Sequence, residues 1–316
     1  MKKASFLSLL MAMCLFTPCA YSEQAWVNNV SEDHGWLDYE KNPGEGDGDD
    51  NLCWAASASC IIDYWQGLYV TSSSIPSGSA IWERFKEVSA DQGGNQVYAI
   101  QWWLGGDYGG KTLEDNETDT TNDRAAYREY STNLPIQTDL NTFSGYYWDA
   151  IPDTYPGSIT TSPQAAHMQD FIWCDYGWLD GFSTALINRI SSAPIGLGLM
   201  DTKEVLGHAI TLWGVEYEND TISKVWITDS DDDTHTIREL ETGSVTTTIG
   251  DITGTFITLK DYSSNEKYGD VCIVQSYGIN VAESDTWGLL RIPEPTTSTL
   301  ALLSLIFLAN RRNRNR

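Results

Sequence analysis

An α+β domain is what the sequence predicts, and three observations predict it. Apolar residues recur at helical spacing through much of the chain before residue 193, whereas period-two alternation dominates after it. The two regimes are segregated along the chain instead of interleaved, so the strands are expected to pair antiparallel without crossover helices. The 316 residues include 13 Trp, 16 Tyr and 8 Phe, enough large apolar surface to build a core and to exclude a disordered chain. The length suits one large domain or two small ones.

The elements follow in order, and no internal repeat is found. Residues 42–50 are Gly- and Asp-rich with one Pro and read as a loop. Asn51 is a good N-cap, and the run from Leu52 to Trp65 carries three alanines, so a helix is expected there, ending at Gly67. Cys53, Cys60, Ile61, Tyr64 and Trp65 fall near one face of it. Residues 71–79 form a Ser/Gly loop, and 80–90 and 95–104 are amphipathic helix candidates. The polar stretch 105–123 reads as a surface loop. Helices are expected over 163–173 and 180–192, the second capped by Asp180. Strands are expected over 194–200, 208–217 and 222–228, the last two joined by a turn at Glu218-Asn219-Asp220. Further strands are expected near 234–239, 245–249, 255–260 and 271–276.

The ends are addresses. Residues 1–22 have a basic start at Lys2 and Lys3, an apolar run from Phe6 to Phe16, and small residues at Ala20 and Ser22, the pattern of a secretory signal peptide. Residues 291–316 run Pro293-Glu294-Pro295, an apolar stretch from Thr299 to Ala309, then four arginines among Arg311–Arg316. This order resembles the PEP-CTERM sorting tail of exported bacterial proteins. The resemblance implies recognition by exosortase-type machinery, with removal of the tail or transient anchoring in the inner membrane. Residues 23–290 are then expected outside that membrane, at the cell surface, in the extracellular matrix or secreted.

Charge narrows the function. The chain has 19 Lys+Arg against 44 Asp+Glu, a formal net charge of −25. Lys2, Lys3 and the four C-terminal arginines sit in the tails, so the part between them is more acidic still. A nucleic-acid partner, which needs clustered cations against phosphate, is excluded. Four cysteines remain beyond the signal peptide: Cys53, Cys60, Cys174 and Cys272. An oxidising compartment favours disulfides among them but leaves free thiols open. No C-x-x-C pair offers a structural zinc site. Asp229, Asp231 and Asp233 match the first three ligands of an EF-hand loop, but Thr234 stands at the required Gly and Glu239 falls one place short. No cofactor is expected.

The chemistry points to a thiol. Cys53 sits in the first turn of its helix, where unpaired N–H groups and the positive dipole end favour a thiolate. With a hairpin turn at 219–220, position 208 lies opposite roughly 231, and Asp229 shares that face by strand parity. Cys53, His208 and Asp229 thereby make a nucleophile, a base and an orienting acid. Taken singly, each has a plainer reading: a small core residue, a structural histidine, a solvated turn.

Three segments resemble the IgG-degrading cysteine endopeptidases of the IdeS/Mac type. They are Gly35-Trp36-Leu37-Asp38 with Lys41 and Asp49–Ala56; Gly207–Gly214; and Trp226–Asp231. The resemblance implies a papain-like fold, with the nucleophile on a central helix packed against an antiparallel sheet. It implies Cys53 as nucleophile, His208 as base and Asp229 as its orienting residue. It further implies Asp231 as a supporting acid, and Lys41 as a partner of the Cys53 N–H in the oxyanion hole. The implied activity is hydrolysis of protein substrates, immunoglobulin among them, although the acidic surface favours neutral or basic segments. The cysteine count departs from that family, with Cys174–Cys272 the expected disulfide. Two other readings are carried forward: a glycan- or protein-binding matrix module built on tryptophans, and a transglutaminase-like acyltransferase using the same triad.

Overall fold

The computed structural model describes residues 22–41, 49–69, 76–88, 94, 96–105, 172–203, 207–232, 234–262 and 271–279. The expected signal peptide up to Tyr21, the sorting tail, the loop beyond Gly105 and all but the last two residues of the helix expected over 163–173 lie outside these residues. In chain order the elements are β1 (Glu23–Trp26), α1 (Cys53–Tyr69), α2 (Gly78–Val88), α3 (Gln96–Gly105), β2 (Ile172–Tyr176) and α4 (Phe182–Ile190). There follow β3 (Ile195–Asp201), β4 (Gly207–Glu218), β5 (Thr221–Thr228), β6 (Arg238–Ile249), β7 (Ile252–Leu259) and β8 (Val271–Ile279). The expected mixture of helices and antiparallel strands is what forms.

The strands do more than make a sheet. They pair in the order β4-β3-β8-β7-β6-β5, and β5 pairs back onto β4, so six strands close into a ring. Closure removes the exposed edges that an open sheet of this length presents. β1 adds to the far half of β4 and β2 to β8, both antiparallel. The β4–β5 turn is tight because Asn219 and Asp220 both take positive φ, 49° and 63°, the pair of values that a two-residue hairpin turn matched to strand twist requires.

Two cores flank α1. One packs Trp54, Ile62, Trp65, Ile81, Phe85, Ile100 and Trp103 among the first three helices. The other fills the ring with Leu197, Ile210, Leu212, Val225, Ile227 and Ile273 and takes in Cys60 from α1. Residues 54–62 of α1 are therefore buried all round, as a helix between two layers must be. Burial of each large side chain there contributes roughly 1.5–3 kcal/mol. Ser57 ties the seam: its hydroxyl donates to the Ile210 carbonyl of β4 at 2.9 Å.

Several expectations are corrected. α1 passes through the exposed Gly67 to Tyr69, because one solvated glycine costs only about 1 kcal/mol and nothing else stops the helix. Ile172 and Trp173 are strand instead of helix, since Ile172 pairs with Ile279 and extends β8 sideways. Asp180 does not cap α4: Gly181 is the N-cap, in the left-handed region at φ 82°, with no side-chain cap. The strands expected at 234–239 and 245–249 are one strand from Arg238 to Ile249, held continuous by pairing with β7. β1 was not foreseen. Cys174 and Cys272 are both free thiols. Cys174 lies opposite Tyr277, five residues along β8 from Cys272, a separation of about 17 Å that no disulfide spans.

Candidate active site

The two residues at the head of the site come from opposite layers. Cys53 opens α1, and His208 is the second residue of β4. Asp229 follows the last residue of β5. Near the turn the β4–β5 register slips by one residue, and it slips back between Leu212 and Gly214. The two irregularities cancel, so Thr211 faces Thr228 as an undisturbed hairpin about 219–220 requires. Parity then brings His208 and Asp229 together, with Nε2 of the imidazole 2.8 Å from the Asp229 Oδ1. With that nitrogen engaged, Nδ1 is left for the thiol, and Cys53 and His208 hydrogen-bond to each other.

Lys41 and Asp231 complete the group. The Lys41 side chain is buried, 2% exposed; its Nζ lies 2.6 Å from the Asp231 Oδ1 and donates to the Asp50 carbonyl at 2.5 Å. The segment that carries it is laced to β5, since Leu37 O accepts from the Thr228 hydroxyl at 2.9 Å and Lys41 N donates to Ser230 O at 3.0 Å. Asp231 Oδ2 is 3.8 Å from His208 Nδ1, so this acid bridges the lysine and the imidazole. All five residues named from the sequence therefore meet at one place.

Three residues that the sequence did not single out hold this group. Tyr262 donates its hydroxyl to Asp229 Oδ2 at 2.7 Å, and Arg238 Nη1 reaches the same oxygen at 3.2 Å. Arg238 also lies over the Tyr262 ring, 5.2 Å from its centroid. Gln96 on α3 is buried and donates from Nε2 to the Ser57 hydroxyl at 2.7 Å, one turn below Cys53. A Cβ at position 196 would stand 2.8 Å from the Gln96 Oε1, so Gly196 is what lets the glutamine approach. No local pattern announces any of the three, because each acts through a contact across the fold.

The charges are mutually supporting. Burial pushes the Cys53 thiol up, but the charge of His208, the hydrogen bond to it and the charge of Lys41 outweigh that and hold it below the ordinary range. Burial alone lowers His208; the Cys53 charge and the hydrogen bonds to Asp229 and Cys53 carry it up to about 10. Asp229 is held below the usual carboxylate range against its burial, chiefly by His208 and Tyr262. A thiolate–imidazolium pair is the state these shifts favour at neutral pH. The group sits at a cleft of about 940 Å³ between the helices and the ring.

No family model and no curated protein matches this chain.

Among the described residues two clusters have metal-ligand types within reach of one another: His208 with Asp229 and Asp231, and Asp38 with Glu40 and His235. In the first, the Asp229 oxygens already accept from His208, Tyr262, Arg238 and the Asp231 N–H, so they have little left for an ion. In the second, Asp38 and Glu40 hydrogen-bond to each other, which places a proton between them. Burial, then Glu40, then Asp232 and Asp229 push Asp38 up to about 9.

That shared proton has a consequence for stability. Asp38 binds it more tightly folded than unfolded, where its pKa is about 3.9. Its contribution is therefore fully present below about pH 3.9 and falls as pH rises towards 9. Asp38→Asn replaces the proton with an amide donor and removes this slope. Thermal melts at pH 5 and pH 8.5 are expected to show the variant gaining on the wild type as pH rises; parallel slopes would contradict the shared proton.

Proposed function

We propose that this protein is an exported cysteine endopeptidase with a papain-like arrangement, acting through Cys53, His208 and Asp229. The single observation that carries the reading is the hydrogen-bonded succession of thiol, imidazole and carboxylate at the cleft, with the charge of a buried lysine acting on the thiol. A nucleophile at a helix N-terminus, packed against an antiparallel ring that presents its base, supports the papain-like assignment. Export and surface sorting rest on the two terminal segments described above.

The chemistry runs as follows. The Cys53 thiolate attacks the peptide carbonyl carbon and forms the C–S bond. Negative charge moves to the carbonyl oxygen, where the Cys53 backbone N–H and the Lys41 ammonium oppose it. His208 gives its Nδ1 proton to the amide nitrogen as the C–N bond breaks, and the amine leaves. Water then adds to the thioester, with His208 taking its proton, and the acid product departs with Cys53 restored. Asp229 holds the imidazole by Nε2 throughout and stabilises its charged form.

Incubating the protein and its Cys53→Ala variant with a protein mixture that includes immunoglobulin, and reading new N-termini by mass spectrometry, tests this. Termini that appear only with the wild type are expected; identical profiles would overturn the reading. Cross-linked products in place of new termini would select acyl transfer to an amine. Six tryptophans, Trp54, Trp65, Trp82, Trp103, Trp213 and Trp226, are buried in the core, and Trp26, Trp36, Trp173 and Trp178 are half-buried, which disfavours a tryptophan-built glycan platform.

Lys41 is tested separately. Lys41→Met keeps the buried stem and removes the charge. A loss of about 10²–10³-fold in kcat is expected, with KM little changed, as for removal of one oxyanion donor. An unchanged kcat would assign Lys41 a structural part only.

A further inference from the structure

The cleft is not uniform along its length. Beyond His208 it leaves the two main cores and opens on a third, smaller apolar cluster of Ile249, Ile252, Phe256, Met200 and Trp178. This cluster belongs to the β6–β7 hairpin and the strands facing it. Ile249 pairs with Ile252 across a two-residue turn, Gly250-Asp251, with Gly250 at φ 57°. Met200 lies opposite Gly207, the residue before His208, so the cluster adjoins the reacting centre through a single strand pair. A Cβ at Gly207 or Gly250, both of which line the cleft, would meet none of the described residues within 4 Å.

An acid stands at its mouth. Asp251 is exposed at the hairpin tip and lines the same cleft as Cys53. No lysine or arginine among the described residues pairs with it. Asp50 and Asp231, the other carboxylates among the cleft's described residues, add to the negative field, and Lys41, the one lysine among those residues, is already matched by Asp231. An apolar slot with a carboxylate at its lip fits one kind of side chain: a long apolar stem that ends in a cation. The net charge of −25 draws such segments towards the cleft and repels acidic ones.

We propose that the slot between β3 and the β6–β7 hairpin is a specificity subsite for a lysine or arginine side chain of a polypeptide substrate, with Asp251 as the residue that selects the cation. The proposal rests on the peptidase reading, since it assumes a polypeptide lying across Cys53. It narrows the substrates to basic segments of proteins.

The probes are peptidyl vinyl sulfones of one backbone that carry Arg, Leu or Glu in turn at each of the three positions before the electrophile. Labelling of Cys53 is followed by mass spectrometry in the wild type, Asp251→Asn and Asp251→Lys, with iodoacetamide as a control for the bare thiol. At one position the Arg probe is expected to label about fivefold faster than the Leu probe and the Glu probe slowest, the size of an exposed ion-pair contribution. Asp251→Asn should remove the preference for Arg over Leu, Asp251→Lys should invert that between Arg and Glu, and iodoacetamide rates should not move. Equal rates for Arg, Leu and Glu, or a preference that survives Asp251→Lys, would overturn the subsite while peptide labelling leaves the peptidase reading standing. If iodoacetamide reacts and no peptidyl probe does, both the subsite and the peptidase reading fall.

Discussion

His208→Ala is expected to abolish cleavage, by on the order of 10⁴-fold or more in kcat, because one change removes both the base and the charge that arms the thiol. The imidazole is the largest favourable influence on the Cys53 thiolate, and Lys41 opposes burial less strongly. Without His208, burial dominates and the thiol reverts to its protonated form at neutral pH. Two measurements separate these effects. The rate of iodoacetamide alkylation in the wild type should already be substantial at pH 6 and should shift to a markedly more alkaline profile in the variant. Cleavage in the variant should not recover when pH is raised to restore the thiolate, because no group remains to protonate the leaving amine. The wild type should keep its ion pair until His208 loses its proton at about pH 10, so its activity has an alkaline limb there and an acid limb set by Cys53. An alkylation profile identical in both proteins would dismiss the pairing of Cys53 with His208.

Asp229→Asn is expected to cost about 10³–10⁴-fold in kcat while changing the shape of the site very little. Four donors converge on the native carboxylate: His208 Nε2 and the Asp231 N–H on one oxygen, Tyr262 and Arg238 on the other. An asparagine has one oxygen to offer. If its amide nitrogen faces His208, the imidazole must accept at Nε2 and carry its proton on Nδ1, so it is no longer a base towards Cys53. If the nitrogen faces the other side, it meets the Arg238 guanidinium, which cannot accept. Either orientation sets the amide nitrogen against a donor, the Asp231 N–H or Arg238, and a loss of about 1–3 kcal/mol in stability accompanies the kinetic effect. Tyr262→Phe removes one donor and leaves Arg238 in place, so it should cost far less in kcat than Asp229→Asn. Equal losses in the two variants would mean that Asp229 serves the packing of this corner and not the imidazole.

What could be read from the sequence divides along the range of the interactions. Each of α1, α3 and the β4–β5 hairpin is set by contacts within about twenty residues, and those contacts leave a period in the sequence. The pairing of His208 with Asp229 was legible for the same reason: both belong to one hairpin, and its turn at Asn219-Asp220 sets their parity. Cys53 was legible as the start of a helix; the resemblance of its segment named Lys41, and that of Trp226–Asp231 named Asp231.

The rest lay beyond any local pattern. Whether β8 returns to β3 and closes the ring depends on strand pairing across the whole last third of the chain. Ile172 and Trp173 became strand because β8 offered an open flank, not because of their own neighbours. Gly181 replaced Asp180 at the head of α4 through a left-handed turn that a capping rule does not see. Tyr262 reaches Asp229 across 33 positions, and Gln96 reaches Ser57 across 39. The sequence by itself determined which residues carry reactive groups and which short elements present them. Only the tertiary structure decided what surrounds those groups. Burial, hydrogen bonds and neighbouring charge then set their protonation, and these act through space and leave no period along the chain.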